Sequence, residues 1–240
     1  AGLPDMETTK KIMFAQQEAG IDVMELGIPF SDPVADGPVI QAASYEAIQK
    51  GATLTKIFTL MKEVRKEGLT TPVVFMMYYN TVYHYGLEEF VEMCADCGVD
   101  GLIIPDLPYE EQKEINAVLA ENEAAPILIQ LVSPVSKQRI PMIVNNARGF
   151  VYCVSQMGVT GNGANFHKQI REYLLEVKKN SPVPVMMGFG IRTAGDVEPL
   201  EDIIDGAIVG SHFITLMKEN NYDENVIKEY ISSFKKEMNE

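Results

Sequence analysis

Glu25 stands inside a short apolar run, Val23-Met24-Glu25-Leu26-Gly27-Ile28, and Asp36 closes the loop that follows, Pro29-Phe30-Ser31-Asp32-Pro33-Val34-Ala35-Asp36-Gly37-Pro38. Side chains alternate along a strand, so Val23, Glu25 and Gly27 share one face and Met24 and Leu26 the other. The apolar run predicts a strand buried on both faces, which puts Glu25 in a low-dielectric interior. A carboxyl so placed has a raised pKa, which suits a general acid or base working near neutral pH. Gly27 leaves room beside it. The alternative is a strand that leaves Glu25 in solvent. Asp36 carries its own alternative, because Asp-Gly-Pro is turn chemistry and an Asp just before a helix caps it. Spacing alone favours the cap. Asp32, before Pro33, reads the same way.

Three glycine-bearing turns form a second signal: Gly158-Val159-Thr160-Gly161, Gly188-Phe189-Gly190-Ile191 and Gly210-Ser211. Glycine lets backbone approach a ligand closely, and amides at a helix N-terminus make an anion site. Each turn alone is ordinary; their joint position after late strands fits phosphate binding by backbone dipoles, with Arg192 just outside as an addition. Met76, Ile103 and Ile129, near the ends of three strands, suit an apolar pocket wall, with core packing as the default. Cys94 and Cys97 form a C-x-x-C that closes a helix instead of opening one, so both read as structural thiols. His84, His167 and His212 are widely separated, and a metal site is not expected.

The elements that must position these groups alternate. Helices are predicted over 7–19, 38–50, 54–67, 87–97, 109–122, 136–145, 165–179, 194–201 and 225–236; strands over 22–27, 72–77, 101–104, 126–132, 149–154, 183–188 and 206–209. Alternation of this kind implies parallel pairing through crossovers. A length of 240 residues is close to the roughly 250 of one (β/α)8 barrel, and no linker divides the chain, so one TIM-barrel domain over 1–240 is expected. The strands number seven, and the opening Ala1-Gly2-Leu3-Pro4-Asp5 reads as a loop after a strand that is not there; a barrel without its first strand and the helix before it is the expectation. A net charge of -14 argues against nucleic acid or an anionic membrane surface as partner. No apolar run approaches the roughly 18 residues of a membrane span, and three cysteines without a secretory signal point to a cytoplasmic protein.

The stretch from Glu25 to Pro38, taken with the three glycine turns in order along nearly the whole chain, resembles the alpha subunit of tryptophan synthase. The resemblance implies a (β/α)8 barrel that splits indole-3-glycerol phosphate into indole and glyceraldehyde 3-phosphate. It implies no cofactor in this chain. Pyridoxal phosphate would belong to a beta subunit, joined in an alpha2beta2 complex. By motif, Glu25 resembles the general acid/base at the indole ring carbon, and Asp36 the carboxylate facing the ring nitrogen. Gly161, Gly190, Gly210 and Ser211 match phosphate-binding positions, Phe189 and Tyr152 border the substrate, and Thr160 matches a mobile-loop threonine that orders Asp36. Departures fall at Gln156-Met157, at Arg192 and at the absent first strand. Two other readings stand beside it: a non-catalytic partner of a beta subunit, and a different barrel enzyme acting on a phosphorylated substrate.

Overall fold

The computed structural model describes residues 1–154, 164–188 and 190–239. In order, the chain runs α1 (Met6–Glu18), β1 (Met24–Gly27), α2 (Pro38–Gln49), α3 (Leu54–Lys66), β2 (Val73–Met76), α4 (Tyr79–Tyr85), α5 (Leu87–Asp96), β3 (Gly101–Ile103), α6 (Lys113–Ala120) and β4 (Ile127–Leu128). It continues through β5 (Gln130–Val132), α7 (Ile140–Val144), β6 (Val151–Val154), α8 (Ala164–Asn180), β7 (Val185–Gly188), β8 (Gly206–Ile208), α9 (Ser211–Glu219) and α10 (Glu224–Asn239). Two compact units result, one of residues 1–128 with 214–236, the other of 129–213 with 237–240.

The first unit holds a parallel sheet in the order β1-β2-β3-β4. Its register sets Leu26 against Phe75, Gly27 against Met76, and Met76 against Ile103, so the strands end level with one another. Helix starts follow local chemistry: the Asp5 carboxylate accepts the Thr8 amide at 2.7 Å, Thr53 accepts the Lys56 amide at 3.3 Å, and Pro38 opens α2. β2 is apolar throughout and buried from Val73 to Phe75. Phe75 meets Phe58 at 6.1 Å between ring centres, and Phe58 meets Phe90 at 5.9 Å, in a core that also takes Met24, Leu26, Leu102 and Ile104. Each such large side chain contributes about 1.5 to 3 kcal/mol of burial. The C-terminal stretch docks here too. Lys235 donates to the Gly20 carbonyl at 2.6 Å and to Asp22 at 2.9 Å, Lys218 pairs with Glu46 at 2.6 Å, and Lys228 pairs with Glu18.

The second unit repeats the plan with β5-β6-β7-β8, all parallel. Both units fasten the N-terminal ends of their strands with one arrangement. In the first, Asp100 accepts the Val73 amide at 2.7 Å and Arg65 at 2.6 Å, while Arg65 also reaches the carbonyls of Gly98, Leu69 and Thr71. In the second, Asp205 accepts the Val185 amide at 2.8 Å and Lys178 at 2.5 Å.

Three expectations change. The predicted strand 126–132 is divided, with Ile129 between β4 and β5, so the described residues contain eight strand segments instead of seven. Residues 194–201 form two 3-10 turns, Ala194–Asp196 and Glu198–Leu200, rather than a helix. Pro199 has no N–H for a helical ladder and its ring would meet the carbonyl a turn earlier, while the Asp196 carboxylate is drawn back to the Arg192 and Thr193 amides. β1 is buried on one face alone, with Met24 and Leu26 at 2% and 8% exposure and Glu25 and Gly27 exposed. Glu25 and Gly27 offer no apolar side chain for packing, and a Cβ at Gly27 would meet nothing within 4 Å.

Candidate active site

Glu25 leaves β1 on its exposed face, yet the protein crowded around it still withdraws water from its carboxyl. That crowding thins its hydration, and the charge of Asp36 adds to the effect. The carboxyl is pushed up from the ordinary 4.5 to about 7. The interior placement expected from the apolar run is therefore corrected, while the direction of the shift holds.

Asp36 is half-buried and does not cap α2. Gly37 is the N-cap residue, without a side-chain bond, and the Asp36 carboxylate instead accepts the Tyr78 hydroxyl at 2.8 Å. Burial raises the Asp36 pKa and the Tyr78 bond opposes the rise. The loop is held at several points. Its Ala35 amide donates to the Tyr78 oxygen at 2.9 Å, the Asp36 amide to the Pro33 carbonyl at 3.1 Å, and Gln41 to the Asp36 carbonyl at 2.9 Å. Asp32 is exposed and takes the Ser31 hydroxyl at 2.5 Å, which is turn chemistry. Sequence reasoning misses Tyr78. The available signal is its place just beyond a predicted parallel strand, where α/β proteins gather functional groups, but Met77-Tyr78-Tyr79 reads there as more core.

In the second unit, β7 and β8 pair with Gly188 opposite Ile208, so the loops carrying Gly190 and Gly210 leave from adjacent strand ends. Gly190 has φ +69°, a conformation that favours glycine. Gly210 and Ser211 are exposed at the start of α9, where helix amides point outward. Arg192 gives its backbone amide to Asp196. Tyr152 on β6 lies across Gly188: a Cβ there would fall 2.4 Å from the Tyr152 hydroxyl oxygen. Met76 is partly accessible, whereas Ile103 and Ile129 are 0% and 2% exposed. Thr160, Gly161 and Phe189 lie outside the described residues.

Two other features are set apart from this chemistry. Cys94 and Cys97 are buried, the Cys97 thiol donates to the Cys94 carbonyl at 3.6 Å, and burial pushes Cys97 up to about 11, so neither supplies a thiolate. A cleft of ≈ 430 Å³ in the first unit is lined by Asp5, Lys10, Lys50, Lys56 and Glu63. Its lysines are engaged, Lys10 with Glu67, Lys50 with Glu46 and Lys56 with the Gly51 carbonyl.

The family model described as tryptophan synthase alpha chain matches residues 1–240. The chain belongs to the tryptophan synthase alpha chain family. It is 74% identical to the tryptophan synthase alpha chain of Lachnospira eligens, over 100% of this chain and 90% of the relative, and 45% identical to that of a Thermoanaerobacter species, over 98% and 90%. Among solved structures it is similar to the tryptophan synthase alpha subunit of Legionella pneumophila, with TM-score 0.88, 32% identity, and 100% and 90% of the two chains covered. The tryptophan synthase complex of Pyrococcus furiosus matches with TM-score 0.84 and 30% identity, over 97% and 93%. The fold is thus α/β of the (β/α)8 class. As a tryptophan synthase alpha chain the protein is a carbon–carbon lyase, cleaving indole-3-glycerol phosphate in tryptophan biosynthesis.

Proposed function

We propose that Glu25 and Asp36 divide the acid–base work of this cleavage. The supporting observation is the contrast between them: Glu25 has its carboxyl pushed up to about 7, and Asp36 is held by the Tyr78 hydroxyl, so a proton resides more readily on Glu25. Glu25 gives its proton to the indole ring carbon that bears the glycerol chain, while Asp36 takes the ring N–H proton. Glu25, now ionised, removes the proton of the adjacent glycerol hydroxyl. The carbon–carbon bond then breaks, its electrons return to the ring, nitrogen regains its proton from Asp36, and the hydroxyl carbon leaves as an aldehyde.

The phosphate is assigned to the amides around Gly190, Gly210 and Ser211, supported by the glycine conformation and the start of α9, together with Gly161. Tyr152, Phe189, Thr160, Met76, Ile103 and Ile129 are assigned to the surroundings of the substrate. The chain itself works without a cofactor, in the cytoplasm, and joins a beta subunit carrying pyridoxal phosphate in an alpha2beta2 assembly. In that assembly the 29–33 loop meets the beta subunit and Thr160 orders Asp36. The likeness to the Pyrococcus furiosus structure, which is that of a tryptophan synthase complex, supports the assembly. Among the described residues no helix is long and apolar enough to cross a membrane.

The test is Glu25→Gln. Indole release should fall at least about a hundredfold, as for loss of a general acid/base, while glycerol phosphate still binds in a calorimetric titration. Near-normal turnover would overturn the assignment.

A further inference from the structure

Tyr78 occupies a junction of three loops in the first unit. It follows β2, is 4% exposed, and stacks on Phe30 with ring centres 5.1 Å apart and planes at 22°. Phe30 is itself fixed, its amide donating to the Ser44 hydroxyl at 2.7 Å and its carbonyl accepting that hydroxyl at 2.8 Å. The next residue, Tyr79, donates its amide to the Asp106 carboxylate at 2.8 Å, from the loop after β3. The Tyr78 oxygen therefore sits between a floor anchored through Asp106 and a wall anchored through Ser44. There it accepts the Ala35 amide and donates to one oxygen of Asp36.

This geometry acts on Asp36 in three ways. A carboxylate bonded through Oδ2 loses much of its freedom to turn, and among the described residues its Oδ1 takes no hydrogen bond. A hydroxyl that accepts a backbone amide while donating has little rotational freedom left for its proton, so the donor direction is set before substrate arrives. Burial first, and then Asp36, hold the Tyr78 phenol well above its ordinary pKa, so it remains a donor throughout the working range.

We infer that Tyr78 is a positioning residue for the cleavage, fixing Asp36 as an ionised, correctly oriented acceptor for the indole N–H, with Asp106 anchoring Tyr78 through the Tyr79 amide. This rests on the assignment of Asp36 above. Among the described residues the ionisable groups acting on Asp36 are Glu25 from β1 and Tyr78 from the end of β2, with Asp106 acting on Tyr78 from beyond β3.

The experiment measures indole release from indole-3-glycerol phosphate against pH, with a tryptophan synthase beta chain supplied. Tyr78→Phe keeps the ring stacked on Phe30 and removes the hydroxyl. It should lower kcat roughly tenfold to a hundredfold, the scale of a small misplacement of a reacting group, with KM changed far less. Without the bond that opposes burial, Asp36 takes up its proton at higher pH, so the acidic limb of kcat should move upward. A residue that only supported the fold would leave that limb in place. Asp106→Ala should lower kcat in the same direction by less, and Asp106→Asn, which keeps an acceptor oxygen, should restore it relative to Asp106→Ala. Asp36→Asn separates the two readings. If it abolishes turnover while a cooperatively melting Tyr78→Phe keeps native kcat and the native limb, the positioning role is overturned and the Asp36 assignment stands. If Asp36→Asn turns over normally, both fall. Should Tyr78→Phe fail to fold, the Asp106 pair decides: loss and rescue uphold the inference, and two native rates overturn it.

Discussion

A carboxyl titrating near neutrality carries two consequences of opposite use. On the proposed acid–base role Glu25 begins protonated, so kcat/KM should decline as pH rises through about 7, and the position of that basic limb in an indole-release assay checks it. For stability, the folded chain binds this proton more tightly than the unfolded one. The contribution is therefore full below pH 4.5, is lost as pH rises toward about 7, and is constant above. Glu25→Gln should accordingly raise Tm more at pH 8 than at pH 4.5, and equal shifts at both would contradict the crowding of Glu25. Gly188 gives a second residue-level prediction. A methyl there would fall within 2.6 Å of the Tyr152 ring, so Gly188→Ala should displace Tyr152 and raise KM for indole-3-glycerol phosphate, at an overpacking cost of about 1 to 3 kcal/mol in urea unfolding. Glu25 and Asp36 are legible in the sequence because one contiguous stretch carries both. The hydrogen-bond partner of Asp36 is not, because Tyr78 lies 42 residues away and only the folded register brings it close.

Among elements, the existence of α1, α2 and α3 is readable from apolar periodicity and the start of α2 from Pro38, whereas the side-chain caps Asp5 and Thr53 at α1 and α3 come from the structure. α4 escapes such a reading: Tyr79–Tyr85 is short and rich in aromatics, and the bond that fixes its first amide comes from Asp106, in another loop. The division at Ile129 is also hidden, because an apolar run looks the same whether one sheet uses it or two. The burial of β1 misleads for a related reason, as apolar flanks report on one face only. The Arg65–Asp100 and Lys178–Asp205 fastenings sit at the N-terminal strand ends, opposite the ends from which the loops carrying Asp36, Gly190 and Gly210 leave. That position assigns them to stability rather than to chemistry. Asp100→Ala should cost about 1 to 2 kcal/mol in urea unfolding, moderated by the partial exposure of the pair, with kcat unchanged. A drop in kcat at native stability would contradict this.

At the scale of the molecule, a charge of -14 opposes the approach of a phosphorylated substrate. In the proposed phosphate site local amides hold the anion against that field, and salt weakens the field by shortening its reach from about 30 Å at 0.01 M to about 8 Å at 0.15 M. kcat/KM for indole-3-glycerol phosphate should therefore rise across that interval, while a viscosity-matched neutral osmolyte should have no such effect. A fall with salt would mean that side-chain cations carry the binding. The first unit has a further property, that it is made from both ends of the chain. Lys235 reaches Gly20 across 215 residues, and Lys218 reaches Glu46 across 172. On a ribosome adding roughly 5 to 20 residues per second, about 10 to 40 s separate the emergence of Gly20 from that of Lys235. During that interval the nascent chain displays a half-finished surface along α1 and α2, and the period of greatest exposure to chaperones and proteases is set by translation speed.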